Sequence, residues 1–103
     1  MAYNLIITER AEELLENIID YLFNSLHNRS AAIHLLDSIE KIYGRIENNP
    51  YEFPYSQDDY LQFKQYRVAV VPDMNYLVIF RIEEMNVYIL GVFHNLENYK
   101  SQL

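Results

Sequence analysis

Four side chains in the second half of this chain have the chemistry to act on a substrate: Arg67, Arg81, His94 and Tyr99. His94 closes the apolar run "VYILGVFH", and Tyr99 follows shortly after it. A histidine at the mouth of a strand can take or give a proton near neutral pH. It can equally mark where a core strand meets water, as a hydrogen-bonding strand end, and this plainer role is the expected one. Arg67 and Arg81 stand in strand-like apolar stretches, where an unpaired charge is costly. Their plain role, again the expected one, is an ion pair with Glu83, Glu84 or a helix acid, or exposure on an open sheet face. Their functional role is contact with a partner's carboxylates or with nucleic acid. Tyr51, Phe53, Tyr55, Tyr60, Phe63 and Tyr66 crowd one short region. Exposed, they would stack bases or dock a protein, but rings that pin a loop to the core are the expected case. His27 and His34 have no second strong ligand at metal-binding spacing. There is no glycine-rich phosphate loop and no nucleophile elbow. No metal and no cofactor is expected.

These side chains must be positioned by the elements around them. "YNLIIT" (Tyr3 to Thr8) has the β-branched content of a short strand. Thr8 then caps a helix whose apolar face is Ala11, Leu14, Leu15, Ile18, Ile19, Leu22, Phe23 and Leu26, alternating steps of three and one. "HNRS" breaks it. Ser30 is expected to cap a second helix with Ala32, Leu35, Leu36, Ile39, Ile42, Tyr43 and Ile46 on one face. Gly44 interrupts that helix at a cost of roughly 1 kcal/mol, which close packing could offset. The short link implies an antiparallel helical hairpin. "ENNPYEFPYSQDD" reads as a loop. Three strands follow, "FKQYRVAVV", "YLVIFRI" and "VYILGVFH", joined by the turns "PDMN" and "EEMN". The expected fold is α+β: a strand, a helical hairpin, then a three-stranded antiparallel meander with the helices on one face. The first strand is expected to pair at an edge of the meander. Simple alternation puts Arg67, Ala69 and Val71 on one face, and His94 with Val92, Leu90 and Tyr88.

Composition narrows the function. One domain fits 103 residues, half of them hydrophobic and two of them glycine. There are no cysteines, so disulfides and thiol catalysis are out. No signal-peptide pattern opens the chain and no run is long enough to span a bilayer, which together with the missing cysteines fits the cytoplasm. The net charge of −7 is uneven: residues 1–59 hold eleven acids and four bases, and residues 60–103 hold four of each. Such a chain repels a phosphate backbone, so strong direct nucleic-acid binding is not expected.

The order of elements, with "TERAEELLENIIDYL", "RIENNPYEFP" and "QYRVAVVPDMNYLVIFRIEEMNVYILGVFHNLENY" as its words, resembles the RelE/ParE toxin superfamily of bacterial toxin–antitoxin modules over nearly the whole chain. The ParE-like branch, with its longer helical hairpin, is the more similar. The resemblance implies a compact sheet under a helical hairpin, held silent by a cognate antitoxin. RelE-like members cleave ribosome-bound mRNA with a basic cluster and a tyrosine. ParE-like members poison DNA gyrase and lack that cluster. By rough alignment the RelE arginines fall at about Val71 and around Asn95 or Leu96, none of them basic here. Tyr66 and Arg67 match the family's Tyr-Arg pair and, with Lys64, are the partner-binding candidates. His94 matches the histidine that ends the last strand in ParE-like members, which usually follow it with arginine where this chain has "NLEN".

Two classes of function follow, with a third as fallback. The first is a ParE-like toxin that binds a protein target such as DNA gyrase and is neutralised by an antitoxin segment carrying basic residues against helix 1. The second is a metal-independent, ribosome-dependent endoribonuclease with His94, Tyr99, Arg67 and Arg81 as its catalytic set. The third is a degenerate, non-toxic interaction module.

Overall fold

A computed structural model describes residues 2–95 and 97–103 of the chain; Met1, and Leu96 among the aligned arginine positions, lie outside the described residues. Strand β1 (Asn4–Ile7) runs into Thr8, which does two jobs. Its hydroxyl donates to the Ile89 carbonyl at 2.7 Å and accepts the Ala11 N–H at 3.2 Å. One side chain thus caps helix α1 (Glu9–Asp20) and ties its start to the sheet.

The expected run of helix 1 to Leu26 changes character part-way. The α-helical hydrogen bonding stops at Asp20, and a π-helical turn spans Tyr21–Ser25, closed by the Leu26 N–H on the Tyr21 carbonyl at 3.0 Å. A π turn holds one more residue per turn, so the side chains beyond Asp20 rotate away from the face that Ala11 begins. Leu22 stays buried, while Phe23 and Leu26 face solvent. Helix α2 (Arg29–Asn48) starts earlier than expected, because Asn28 and not Ser30 is its cap: the Asn28 side-chain oxygen accepts the Ala31 N–H at 3.1 Å. Ser30 falls inside the first turn. Ala32, Leu35, Ile39, Ile42 and Ile46 form the buried face of α2.

The expected long strand from Phe63 is also corrected. Asp58 accepts the Leu61 N–H at 3.1 Å and caps a short helix, α3 (Asp59–Phe63), which buries Leu61 completely. That backbone bond, with Lys100 alongside, holds the Asp58 carboxyl below its ordinary pKa. Gln65 then turns the chain at a φ of 62°, and strand β2 is only Arg67–Val70. Strands β3 (Tyr76–Glu83) and β4 (Asn86–His94) complete a four-stranded sheet in the order β1-β4-β3-β2. Strand β1 lies parallel to β4 at the edge, and the other pairs are antiparallel.

The sheet is covered on both sides, which is why β3 and β4 are almost continuously apolar. Helices α1 and α2 pack over Ala69, Val78, Phe80, Val87, Ile89 and Val92. On the other face, Leu77, Ile79 and Phe93 are covered by Tyr66, Val68, Leu90 and the closing residues Tyr99 and Leu103. The outer edge of β2 is partly closed by residues 54–56. Ser56 donates to the Tyr66 carbonyl at 2.9 Å, Val68 donates to the Pro54 carbonyl at 3.0 Å, and Tyr55 bridges to Arg67.

Simple alternation fails in β4. Ile79 pairs with Gly91 but Phe80 pairs with Ile89, so Leu90 is an extra residue, a β-bulge. Val87, Ile89, Val92 and His94 face the helices, whereas Leu90 and Phe93 face the other side.

Two glycines carry opposite predictions. A Cβ on Gly91 would sit 2.5 Å from the Phe93 ring and 3.0 Å from Leu14 Cδ1. Gly91→Ala should lose about 1–3 kcal/mol by overpacking. Gly44 faces solvent with nothing within 4 Å of a Cβ, so close packing does not explain it. Gly44→Ala should gain about 0.5–1 kcal/mol from helix propensity. Thermal midpoints check both, at roughly 4–8 °C per kcal/mol for a domain of this size.

Candidate functional site

The sheet places the four candidate catalytic side chains in separate surroundings. His94 ends β4 on the helix side, half-buried, with its ring edge-on to Tyr76 at 5.3 Å between centroids. Its backbone N–H donates to Glu97 Oε1 at 2.8 Å. Tyr99 lies on the opposite side of the sheet, its ring tilted over Phe93 at 5.6 Å. Arg81 pairs with Tyr88 across β3 and β4, whereas His94 pairs with Tyr76. Five residues of β3 separate the two levels, roughly 17 Å at the usual rise of about 3.3 Å.

Each arginine is already engaged. Arg81 binds Glu83 at 2.6 Å and stacks over Tyr88 at 4.1 Å, partly exposed. Arg67 is held more firmly. Its guanidinium lies 4.1 Å from the Tyr55 ring centre and 5.1 Å from that of Tyr51, and Nη1 donates to the Phe53 carbonyl at 2.6 Å. The expected pinning of the aromatic loop by its rings therefore holds for Phe53, which is buried, and for Tyr51 and Tyr55, which flank Arg67, whereas Tyr60 and Phe63 face solvent. Phe53 itself is buried edge-on against Phe80.

Of the partner-binding candidates, Lys64 and Tyr66 come together. Lys64 Nζ lies 5.5 Å from the Tyr66 ring and 4.9 Å from that of Tyr60, and it donates to the Leu103 carbonyl at 3.1 Å. Hydrogen bonding to Tyr60 raises its pKa. Arg67 faces the loop, on the other side of β2 from Tyr66.

An apolar depression lies elsewhere, on the outer face of the helical hairpin. Leu15, Ile19, Phe23 and Leu36 floor a groove of about 450 Å³. Glu12, Glu16 and Asp20 line one flank at steps of four, the spacing that stacks side chains along one helix face. None of these three acids has an ion-pair partner among the described residues. The sequence carried a signal for this groove. The apolar stripe of helix 1 is wider than one packed face requires, and the three acids run beside it.

The comparisons with known proteins bear on this architecture. Residues 5–99 match the family model for the ParE toxin of type II toxin–antitoxin systems, parDE. The chain belongs to the ParE toxin family. No curated protein matches the sequence. The fold is similar to a chain of the chromosomal ParDE toxin–antitoxin system from P. aeruginosa, with a TM-score of 0.72 and 16% identity over 90% of this chain and 96% of that one. At that identity the likeness concerns the fold. Among the described residues of this ParE-family chain, no helix is long and apolar enough to cross a membrane, and no group of His, Asp and Glu could hold a metal ion.

The arginines should separate on substitution. Arg67→Lys loses the stacked plane and should cost about 1–2 kcal/mol, read as a lower urea midpoint. Arg81→Lys, at an exposed pair, should stay within about 0.5 kcal/mol.

Proposed function

We propose that the chain is the toxin of a type II toxin–antitoxin module, working in the bacterial cytoplasm. It acts by binding a protein target such as DNA gyrase, and a cognate antitoxin neutralises it. The observation that carries this reading is the hairpin groove: an apolar floor flanked by three acids that have no ion-pair partner among the described residues. That combination suits an amphipathic helix with its own apolar stripe and a basic edge. The antitoxin segment laid on α1 is such a helix. Family membership supports the toxin assignment, and the separation of the two arginines from His94 along the sheet, with Tyr99 on the opposite face from His94, supports binding over nucleolysis. Nucleolysis needs a base, an acid and cations converging on one phosphate.

Induced expression in a bacterial host, with growth, plasmid supercoiling and mRNA integrity followed together, tests the target. Growth arrest with a supercoiling change and intact mRNA is expected. Ribosome-dependent cuts that vanish in His94→Ala would replace this reading with the endoribonuclease one. Co-expression with a cognate antitoxin should restore growth. In the purified complex, Glu12→Lys, Glu16→Lys and Asp20→Lys together should weaken antitoxin binding at least about tenfold and flatten its salt dependence. Unchanged affinity would remove the groove from the interface.

A further inference from the structure

A second depression, on the other side of α1, has different chemistry. It is a cleft of about 330 Å³ between α1 and the ends of β3 and β4. Leu14, Ile18 and Val92 form its floor, and Tyr21, Tyr76, His94 and Glu97 form its mouth. Three of those four mouth residues carry aromatic rings. Tyr76 and His94 are edge-on to each other, so one presents a face where the other presents an edge. Tyr21, Tyr76 and Glu97 line one space, and burial raises the Tyr76 pKa, with Tyr21 and the Glu97 carboxylate adding to it.

Glu97 is held by its neighbours without being neutralised. Its Oε1 accepts the His94 backbone N–H at 2.8 Å, and its Oε2 accepts the Gln102 side-chain amide at 3.2 Å. Arg10 binds the other end of that amide at 2.8 Å, and Arg10 also lies 3.9 Å from Glu13. Glu97 itself forms no ion pair among the described residues, and no Lys or Arg lines the cleft. Each carboxylate oxygen keeps a lone pair for another donor.

From this we infer that the cleft is a receptor for one long basic side chain, arginine or lysine, presented by a protein partner. Aromatic faces attract a cation through the ring quadrupole, and a fixed carboxylate supplies the countercharge. The aliphatic floor matches the methylene stem that Lys and Arg lay along apolar surface while the charged head reaches the polar rim. The chain's net charge of −7 favours a basic visitor from a distance. This site is separate from the hairpin groove, and the inference stands whether or not the antitoxin docks there.

The test uses the full chain and small probes, with the Tyr76 and His94 ring signals followed by NMR. N-acetyl-arginine amide and N-acetyl-lysine amide should give saturable shifts at both rings. N-acetyl-norleucine amide, of similar stem length and no charge, should not saturate over the same range. Glu97→Gln and Tyr21→Ala should each weaken the two cations roughly tenfold, the effect of losing one strong contact. Norleucine amide binding as tightly as the cations would make the site a plain apolar cleft and overturn the inference. So would unchanged affinities in both variants. Tetramethylammonium binding more tightly than either amino-acid amide would assign the cage to small quaternary cations and not to a protein side chain. Glu97→Gln keeps the shape of the side chain, so the charge is tested even if Tyr21→Ala disturbs the π turn.

Discussion

One extra residue in the central strand governs the geometry of everything near the closing end of this domain. Strand β4 is paired on both sides and covered on both faces, so every side chain in it must commit to one layer. Leu90 breaks the alternation once. Before it, Val87 and Ile89 point to the helices; after it, Val92 and His94 do. Without the bulge Phe93 would be aimed at the helices and His94 away from them. The cleft at Tyr76 and the apolar patch under Tyr99 both depend on this half-turn. Gly91 follows the bulge directly, where the Phe93 ring folds back too close for any side chain.

Electrostatics divides the molecule differently from packing. The acids of α1 that face outward flank exposed apolar side chains, and the cations of the second half are tied to rings and carboxylates of their own chain. A fold of the ParE toxin family is here combined with a surface whose free charge is negative. The two depressions beside α1 share that sign. One is lined by a row of acids and the other by a single carboxylate among rings.

The architecture was largely legible in the sequence because it rests on periodicity. The Thr8 cap and the apolar runs of β3 and β4 are local signals and hold, and the three-and-one steps of helix 1 hold as far as the π turn that begins at Tyr21. What was not legible depends on contacts or on a single competing cap. Asn28 outcompetes Ser30, and Asp58 draws residues 59–63 into a helical turn that a strand pattern had claimed. The bulge at Leu90 is invisible without its partner strand, so parity grouped His94 with Tyr88 and Leu90. The groove was half-visible, as a stripe too apolar for one face. The placement of Arg67 among Tyr51, Tyr55 and the Phe53 carbonyl needed the tertiary fold, although the crowding of rings nearby anticipated the company it keeps.

The segment that closes the β2 edge has a consequence for assembly into larger structures. An uncovered strand edge is a template on which further chains can add, one ladder at a time. Here the neighbour of β2 is a short irregular stretch containing Pro54, which offers a carbonyl to Val68 but has no N–H of its own. Residues 54–56 thus already occupy part of the ladder positions beside β2, which shortens the edge on which another chain could add.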